Sequence, residues 1–210
     1  MTVPRIILAL DLATLCGVAE VDPGSPPRFY SVRFASPGDE HASSFARVRR
    51  WIDERLSVGD IAAVYVEAPV SPGALQGQTN AATVARLVGL WAVVAASAGV
   101  WRVKYRDVEV QAARRAFLGD GRLRRDEAKA RAMQMAKSIG WSPNTLDEAD
   151  AAAVLYFALT REAPNLAPLI SPMLQHQVAT SVENERILRD QEKRAKGLKK
   201  SGKVDEEIPW

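Results

Sequence analysis

Apolar residues along this chain switch repeatedly between short unbroken runs and a spacing of three to four, and each switch marks an element. Ile6-Ile7-Leu8-Ala9-Leu10 is an apolar run closed by Asp11. A run this short, bounded by Pro4 and leading to Gly17, predicts a buried strand rather than a helix. Gly17 to Val21 and Phe29 to Phe34 are two further β-prone runs. The turn formers Asp22-Pro23-Gly24-Ser25-Pro26-Pro27 separate them, so three sequential antiparallel strands are expected. Between residues 40 and 57 the period changes, because Phe45, Val48, Ile52 and Leu56 recur on one helical face. Ile61 to Glu67 then repeats the opening design, an apolar strand that ends on a carboxylate.

A long helix is predicted from Thr79 to Ala98, with Val84, Leu87, Val88, Trp91, Val94 and Ala95 at helical spacing and Gly99 as its stop. Val100 to Tyr105 reads as the next strand. Strand, long helix and strand in this order form a right-handed crossover between parallel strands. The expected architecture is therefore α/β, with a mixed five-stranded sheet: three antiparallel strands, then parallel ones, flanked by helices. Asp107 is placed to cap a short helix to Phe117, and Gly119-Asp120-Gly121 breaks it. A further helix, Arg124 to Ile139, carries one heavily basic side and stops at Gly140. The helix after Leu146 is apolar nearly all round, which predicts deep packing against the sheet. Beyond Pro164 the pattern fades into a charged segment, Glu183 to Lys203, read as a polar helix or a disordered tail. The expected division is one domain over 1–163 and an extension over 164–210.

Length and composition bound this picture. With 210 residues, 47% hydrophobic, the chain has room for one domain and an appendage. Its single cysteine, Cys16, leaves no internal disulfide to form, and the N-terminus enters a strand without a basic leader and cleavage site, so a cytoplasmic protein is expected. Leu87 to Trp101 is uncharged for fifteen residues, short of the roughly 20 that a spanning helix needs, which predicts a core helix and no membrane association. Net charge is only +3 but unevenly spread. Residues 101–131 hold ten Lys/Arg against five Asp/Glu, and 183–203 hold eight against four, while the remainder is net negative. Such segregation suits a basic face for a polyanion, and Arg114, Arg115, Arg122, Arg124 and Arg125 are its candidate phosphate contacts. His41 and His176 lack metal-ligand spacing. Trp51, Trp91 and Trp101 fall on predicted buried faces, so core packing is the leading account of the tryptophans, with stacking on exposed bases as the alternative for Trp141 and Trp210; Cys16 reads as a small buried hydrophobe.

Four carboxylates stand out. Asp147 and Asp150 are three apart on one helix face, about 5–6 Å between Cβ atoms. With Asp11 and Glu67 they come from three elements, each attached to a buried segment. Convergence would raise at least one pKa or create a site for divalent cations. An all-oxygen set favours Mg²⁺ or Mn²⁺ over Zn²⁺. Singly, each acid has a plainer reading: Thr145 to Glu148 has the spacing of a capping box, Glu67 is the polar end of a strand, and Asp11 is a turn residue.

The order Ile7 to Asp11, then Val66-Glu67-Ala68-Pro69-Val70, then Asp147-Glu148-Ala149-Asp150-Ala151-Ala152 resembles the RuvC-type Holliday-junction resolvases of the ribonuclease H-like superfamily, particularly the phage-type versions. The likeness covers residues 5–160 and includes Arg86-Leu87-Val88-Gly89 and Lys129. It implies a ribonuclease H-like fold and a homodimeric, Mg²⁺-dependent endonuclease of a bacterial or phage-infected cell, cutting branched DNA. It further implies that Asp11, Glu67, Asp147 and Asp150 hold two Mg²⁺ ions, with Mn²⁺ as a substitute, that Lys129 faces the scissile phosphate, and that the products carry 5′-phosphate and 3′-hydroxyl ends. The long helix from Thr79 is the candidate dimer element. Three positions depart from the pattern. Ala13 stands where relatives usually carry Gly, Glu109 where cellular relatives tend to carry Lys, and the loop Pro69 to Gln78 lacks the aromatic that cellular resolvases place at the junction centre. A branched-DNA-binding protein of the same fold with little catalysis is the alternative. A sugar-kinase or actin-like ATPase needs two such domains and a second phosphate loop, for which 210 residues without an internal repeat leave no room.

Overall fold

The computed structural model describes residues 5–69 and 81–201. The loop that follows Pro69, the helix start expected at Thr79, and Trp210 lie outside the described residues. Among the described residues five strands, β1 (Ile6–Asp11), β2 (Leu15–Val21), β3 (Arg28–Arg33), β4 (Ile61–Glu67) and β5 (Lys104–Val108), form one sheet in the order β3-β2-β1-β4-β5. The first three pair antiparallel, while β4 runs parallel to β1 and β5 parallel to β4. Six α-helices follow among the described residues: α1 (His41–Ser57), α2 (Ala81–Val100), α3 (Val110–Leu118), α4 (Arg125–Ser138), α5 (Leu146–Glu162) and α6 (Pro172–Ser201).

Strand alternation splits the core in two. Leu8, Leu10, Val18, Val64 and Val66 point toward α1 and α2. Ile7, Ala9, Ala19, Ala63 and Tyr65 point toward α3, α4 and α5. On that second face the strands offer alanines to Ala149, Ala151, Ala152 and Ala153 of α5. Small residues on both sides let α5 lie close over β1 and β2, which is why its nearly continuous apolar run is buried.

Several expectations are corrected. Gly99 does not end α2; the helix continues to Val100 and closes in a Schellman cap. Arg102 N–H donates to the Gly99 carbonyl and Val103 N–H to the Ala98 carbonyl, with Arg102 at φ 54°. The following strand is thereby delayed to Lys104. Asp107 lies within β5, where its carboxylate accepts from Trp91 Nε1 (2.7 Å) and the Tyr105 hydroxyl (2.8 Å); Glu109 takes the N-cap position of α3. Trp101, expected in the core, is 42% exposed because it sits on the cap. Trp51 and Trp91 are only partly buried. Trp141 is buried between Phe29 and Phe117, which removes the alternative of stacking on bases. A Cβ at Gly99 meets nothing within 4 Å. Replacing Gly99 by Ala is therefore expected to stabilise the fold by about 0.5–1 kcal/mol, a rise of about 1–4 °C in Tm by circular dichroism.

Among the described residues α2 is long and apolar enough to cross a membrane, with mean hydropathy 1.7. It lies along α1, with Leu90, Val94, Ser97 and Ala98 buried in the domain. It is thus less of a core helix than its composition predicts: Ala85, Val88, Ala92, Ala96 and Val100 form an exposed apolar stripe. After a short 3₁₀ turn at Pro164–Leu166, α6 runs antiparallel along α4, held by Val178 and by a hydrogen bond from Gln134 Nε2 to Ser181 Oγ (2.7 Å).

Candidate functional site

Asp11 closes β1 and Glu67 closes β4, neighbouring parallel strands whose register sets Leu10 beside Val66. By alternation both acids emerge on the face that carries Ala9 and Tyr65, beneath α5. Gly17 is the antiparallel partner of Asp11. A Cβ there would lie 2.0 Å from the carbonyl oxygen of Asp147 and 2.4 Å from its carbon. The missing side chain lets the first turn of α5 rest directly on β2, and this brings Asp147 and Asp150 to Asp11. A glycine inside a strand is the sequence signature of such a close approach, a signal the motif reading did not use.

The start of α5 is held by other groups. Thr145, at the N-cap, accepts from the Glu148 N–H (3.2 Å). The buried Glu148 carboxylate accepts from the Ser31 hydroxyl (2.9 Å) and from the Asn144 N–H (2.7 Å). Capping thus falls to Thr145 and Glu148, and Ser31 ties the cap to β3. The carboxylates of Asp147 and Asp150 turn instead to Lys129 on α4, whose Nζ lies 2.7 Å from Asp147 Oδ1 and 2.9 Å from Asp150 Oδ2.

Asp11, Asp147 and Asp150 each place a carboxylate oxygen within 4.8 Å of the other two. Glu67, expected as a fourth ligand, is not among the carboxylates brought within this distance; its charge acts on Asp11 electrostatically. Burial, then the negative charges of Glu67 and Asp150, hold Asp11 well above the usual carboxylate range, against the pull of Lys129. Glu67 is pushed up to about 7 by burial and by Asp150, with Arg114, Lys129 and Arg125 opposing. Burial raises Asp150 as well, moderated by its hydrogen bond from Lys129. Burial would lower the Lys129 ammonium, but its bonds to Asp147 and Asp150 outweigh this and raise it.

Among the described residues, Lys129 is the cation bonded to the cluster of Asp11, Asp147 and Asp150, and the carboxylates of Asp11 and Glu67 receive no hydrogen bond. Such a cluster has an unmet demand for positive charge, and its donors are all oxygen, the set that Mg²⁺, Mn²⁺ and Ca²⁺ accept and Zn²⁺ disfavours. The residues fit a hard divalent cation.

Of the expected phosphate contacts, Arg114 on α3 and Arg125 at the start of α4 face the cluster closely enough to act on Glu67. Arg115, Arg122 and Arg124 are exposed. Arg124 occupies the N-cap position of α4. Cys16 is buried, and burial, then Asp11, pushes its thiol well up, so it offers no nucleophile.

The sheet order, the helix laid over it and the acids at the strand ends define a ribonuclease H-like α/β protein. No protein-family model matches the chain, and no curated protein matches it in sequence. Solved structures do match. RuvC of Thermus thermophilus superposes with a TM-score of 0.59 at 19% identity, over 78% of this chain and 99% of its own. The same organism's RuvC in complex with a Holliday junction substrate gives a TM-score of 0.59 at 19% identity, over 79% of this chain and 99% of that one. The yeast mitochondrial Holliday junction resolvase Ydc2 follows at 0.52 and 11% identity, over 90% and 84%. The fold is the RuvC-type variant of the ribonuclease H-like architecture.

Proposed function

We propose that this protein is a divalent-cation-dependent endonuclease that cuts branched DNA, Holliday junctions among them, leaving 5′-phosphate and 3′-hydroxyl ends. The observation that carries the reading is the meeting of Asp11, Asp147 and Asp150 at the strand ends, with Lys129 among them. The named fold neighbours, one of them seen on a Holliday junction, supply the substrate class.

Asp11, Glu67, Asp147 and Asp150 would hold the cations, Mg²⁺ or in its place Mn²⁺, and two ions would suit four acids. Bound there, the ions would supply Lewis-acid activation of the attacking water and neutralise charge on the departing oxygen. The chain's own groups do the rest. Lys129, held between Asp147 and Asp150, would set its ammonium against the scissile phosphate and stabilise charge that grows during in-line displacement. Arg114 and Arg125 hold the flanking phosphates, with Arg115, Arg122 and Arg124 extending the basic surface without reading sequence. Glu67, with its pKa near 7, takes up protons as pH falls below neutrality, so cation binding weakens there.

Paired nicks in a symmetric junction call for two sites related by a two-fold axis, hence a homodimer. The exposed stripe Ala85, Val88, Ala92, Ala96 and Val100 on α2 is the surface that supports it, since its small side chains allow close helix packing. The test is cleavage of four-way, three-way, flap and linear DNA at fixed salt, with Mg²⁺ and with EDTA. Cutting that requires Mg²⁺ and favours branched DNA is expected. Equal cutting of all four overturns the resolvase reading, and no cutting with Mg²⁺ or Mn²⁺ overturns the nuclease. A monomeric mass in sedimentation at micromolar concentration removes the dimer.

A further inference from the structure

The role of α6 is separate from that of the acidic cluster. Thirty residues of helix span about 45 Å, far longer than the docked part requires. The docked part is its first half. Leu174, Val178 and Val182 are covered, whereas from Asn184 onward every described side chain is exposed. Charge changes along the same axis. Residues 183–192 hold four acids and two arginines. There Arg186 pairs with Glu183 (3.0 Å) and Arg189 with Glu185 (3.5 Å). Residues 193–200 hold Lys193, Arg194, Lys196, Lys199 and Lys200 and no acid. Among the described residues, Lys193, Arg194 and Lys196 are exposed and have no ion-pair partner.

The direction of α6 decides where that basic run goes. Ser181 bonds Gln134 near the end of α4, and further along Arg189 and Lys193 line a groove with Arg124 and Asp126 at the beginning of α4. The two helices are antiparallel, so α6 leaves the domain beside the N-terminus of α4. That end of α4 is the one turned to the acids, since Arg125 acts on Glu67 and Lys129 bonds Asp147 and Asp150. From Lys193 the helix continues for about 12 Å past Arg124.

We propose that the distal end of α6 is a second nucleic-acid contact, in which Lys193, Arg194 and Lys196 grip duplex phosphates beside the N-terminal end of α4. The inference rests on the reading of the substrate as DNA but not on cleavage. Duplex DNA fits because its phosphates recur along a rod, matching cations spread along a helix, and because Arg124 and Arg125 continue the same basic surface toward the site. The contact is electrostatic, so it adds affinity for any duplex arm and no sequence preference.

The experiment uses the full chain with Lys193, Arg194, Lys196, Lys199 and Lys200 all changed to Gln, and a second variant ending at Glu192. Binding to a fluorescent four-way junction and a linear duplex is measured in EDTA over a series of salt concentrations, with circular dichroism to verify folding. Both variants are expected to bind about tenfold more weakly near 100 mM salt, with a log–log salt slope shallower by about 2–4. Unchanged affinity and slope overturn the proposal, as does a parent protein that binds no DNA. So does loss confined to vesicles containing phosphatidylserine. Failure of the nuclease reading looks different: the parent binds DNA without cutting it, while the variants still lose affinity. Conversely, Mg²⁺-dependent cleavage with unaltered binding by both variants leaves the nuclease standing and removes the arm.

Discussion

Asp11→Asn is expected to abolish cleavage, by about 10³-fold or more, and at the same time to make the cation-free protein more stable at pH 7.5. The two effects share one cause. Asp11 is raised by burial and by the charges of Glu67 and Asp150, so the folded state holds its proton more tightly than the unfolded chain does. A group shifted this way costs nothing below its unfolded pKa and becomes destabilising as pH climbs through its folded pKa. In EDTA the parent should therefore lose stability from mildly acidic to neutral pH, and Glu67, at about 7, adds to the same trend. The Asn variant lacks the ionising group, and relief of Asp11's repulsion also lets Glu67 ionise at less cost. Thermal unfolding from pH 5 to 8 should show a flatter profile for the variant, with its Tm above the parent's at the upper end. Added Mg²⁺ or Mn²⁺ should raise the parent's Tm and leave the variant's nearly unmoved. A variant that is less stable than the parent at pH 7.5, or that still responds fully to the cation, would contradict the placement of Asp11 as an electrostatically strained ligand.

Gly17→Ala is the second change with a large expected effect, although it adds only one methyl group and removes no polar side chain. The new Cβ would stand 2.0 Å from the Asp147 carbonyl oxygen, where ordinary contact begins at 3.4 Å. The obstacle is backbone, so relief requires the first turn of α5 or β2 itself to move by more than about 1 Å. Overpacking of this kind costs about 1–3 kcal/mol, and a displacement of about 1 Å at reacting groups costs on the order of 10²-fold in rate. Cation affinity should fall with activity, because Asp147 and Asp150 retreat together from Asp11. Gly99→Ala, which meets nothing, is the matched control and should leave activity unchanged. Normal cleavage and normal cation-induced stabilisation in Gly17→Ala would show that the α5 turn has room that the structure does not give it.

Both predictions turn on one meeting of elements, and the sequence foretold its participants better than its construction. Asp11 and Glu67 were legible because an apolar run that stops on an acid is a local pattern, and strand alternation then puts both on one face. Asp147 and Asp150 were legible because a spacing of three is a helix face. The opening of α5 illustrates the limit: Thr145 to Glu148 has capping-box spacing, and from spacing alone Asp147 serves equally well as a cap residue or as part of the cluster. The contact from Ser31 to Glu148, which joins residues 117 apart, separates the roles.

The same division runs through the errors. Gly99 looked like a helix stop because glycine commonly is one, but the Schellman bonds at Arg102 carry α2 onward and delay β5. Trp101 left its expected core environment because burial depends on what packs opposite, which periodicity does not report.

Taken by itself, the sequence determined the order of strands and helices, the segregation of charge and the four carboxylates at element ends, all set by backbone geometry and periodicity within a few residues. Only the tertiary structure decided that Gly17 gives α5 its clearance, that Lys129 stands between Asp147 and Asp150, and that α6 returns along α4 to bring Lys193 beside Arg124. Each of these depends on the distance between segments remote in the chain, and such distances arise from packing alone.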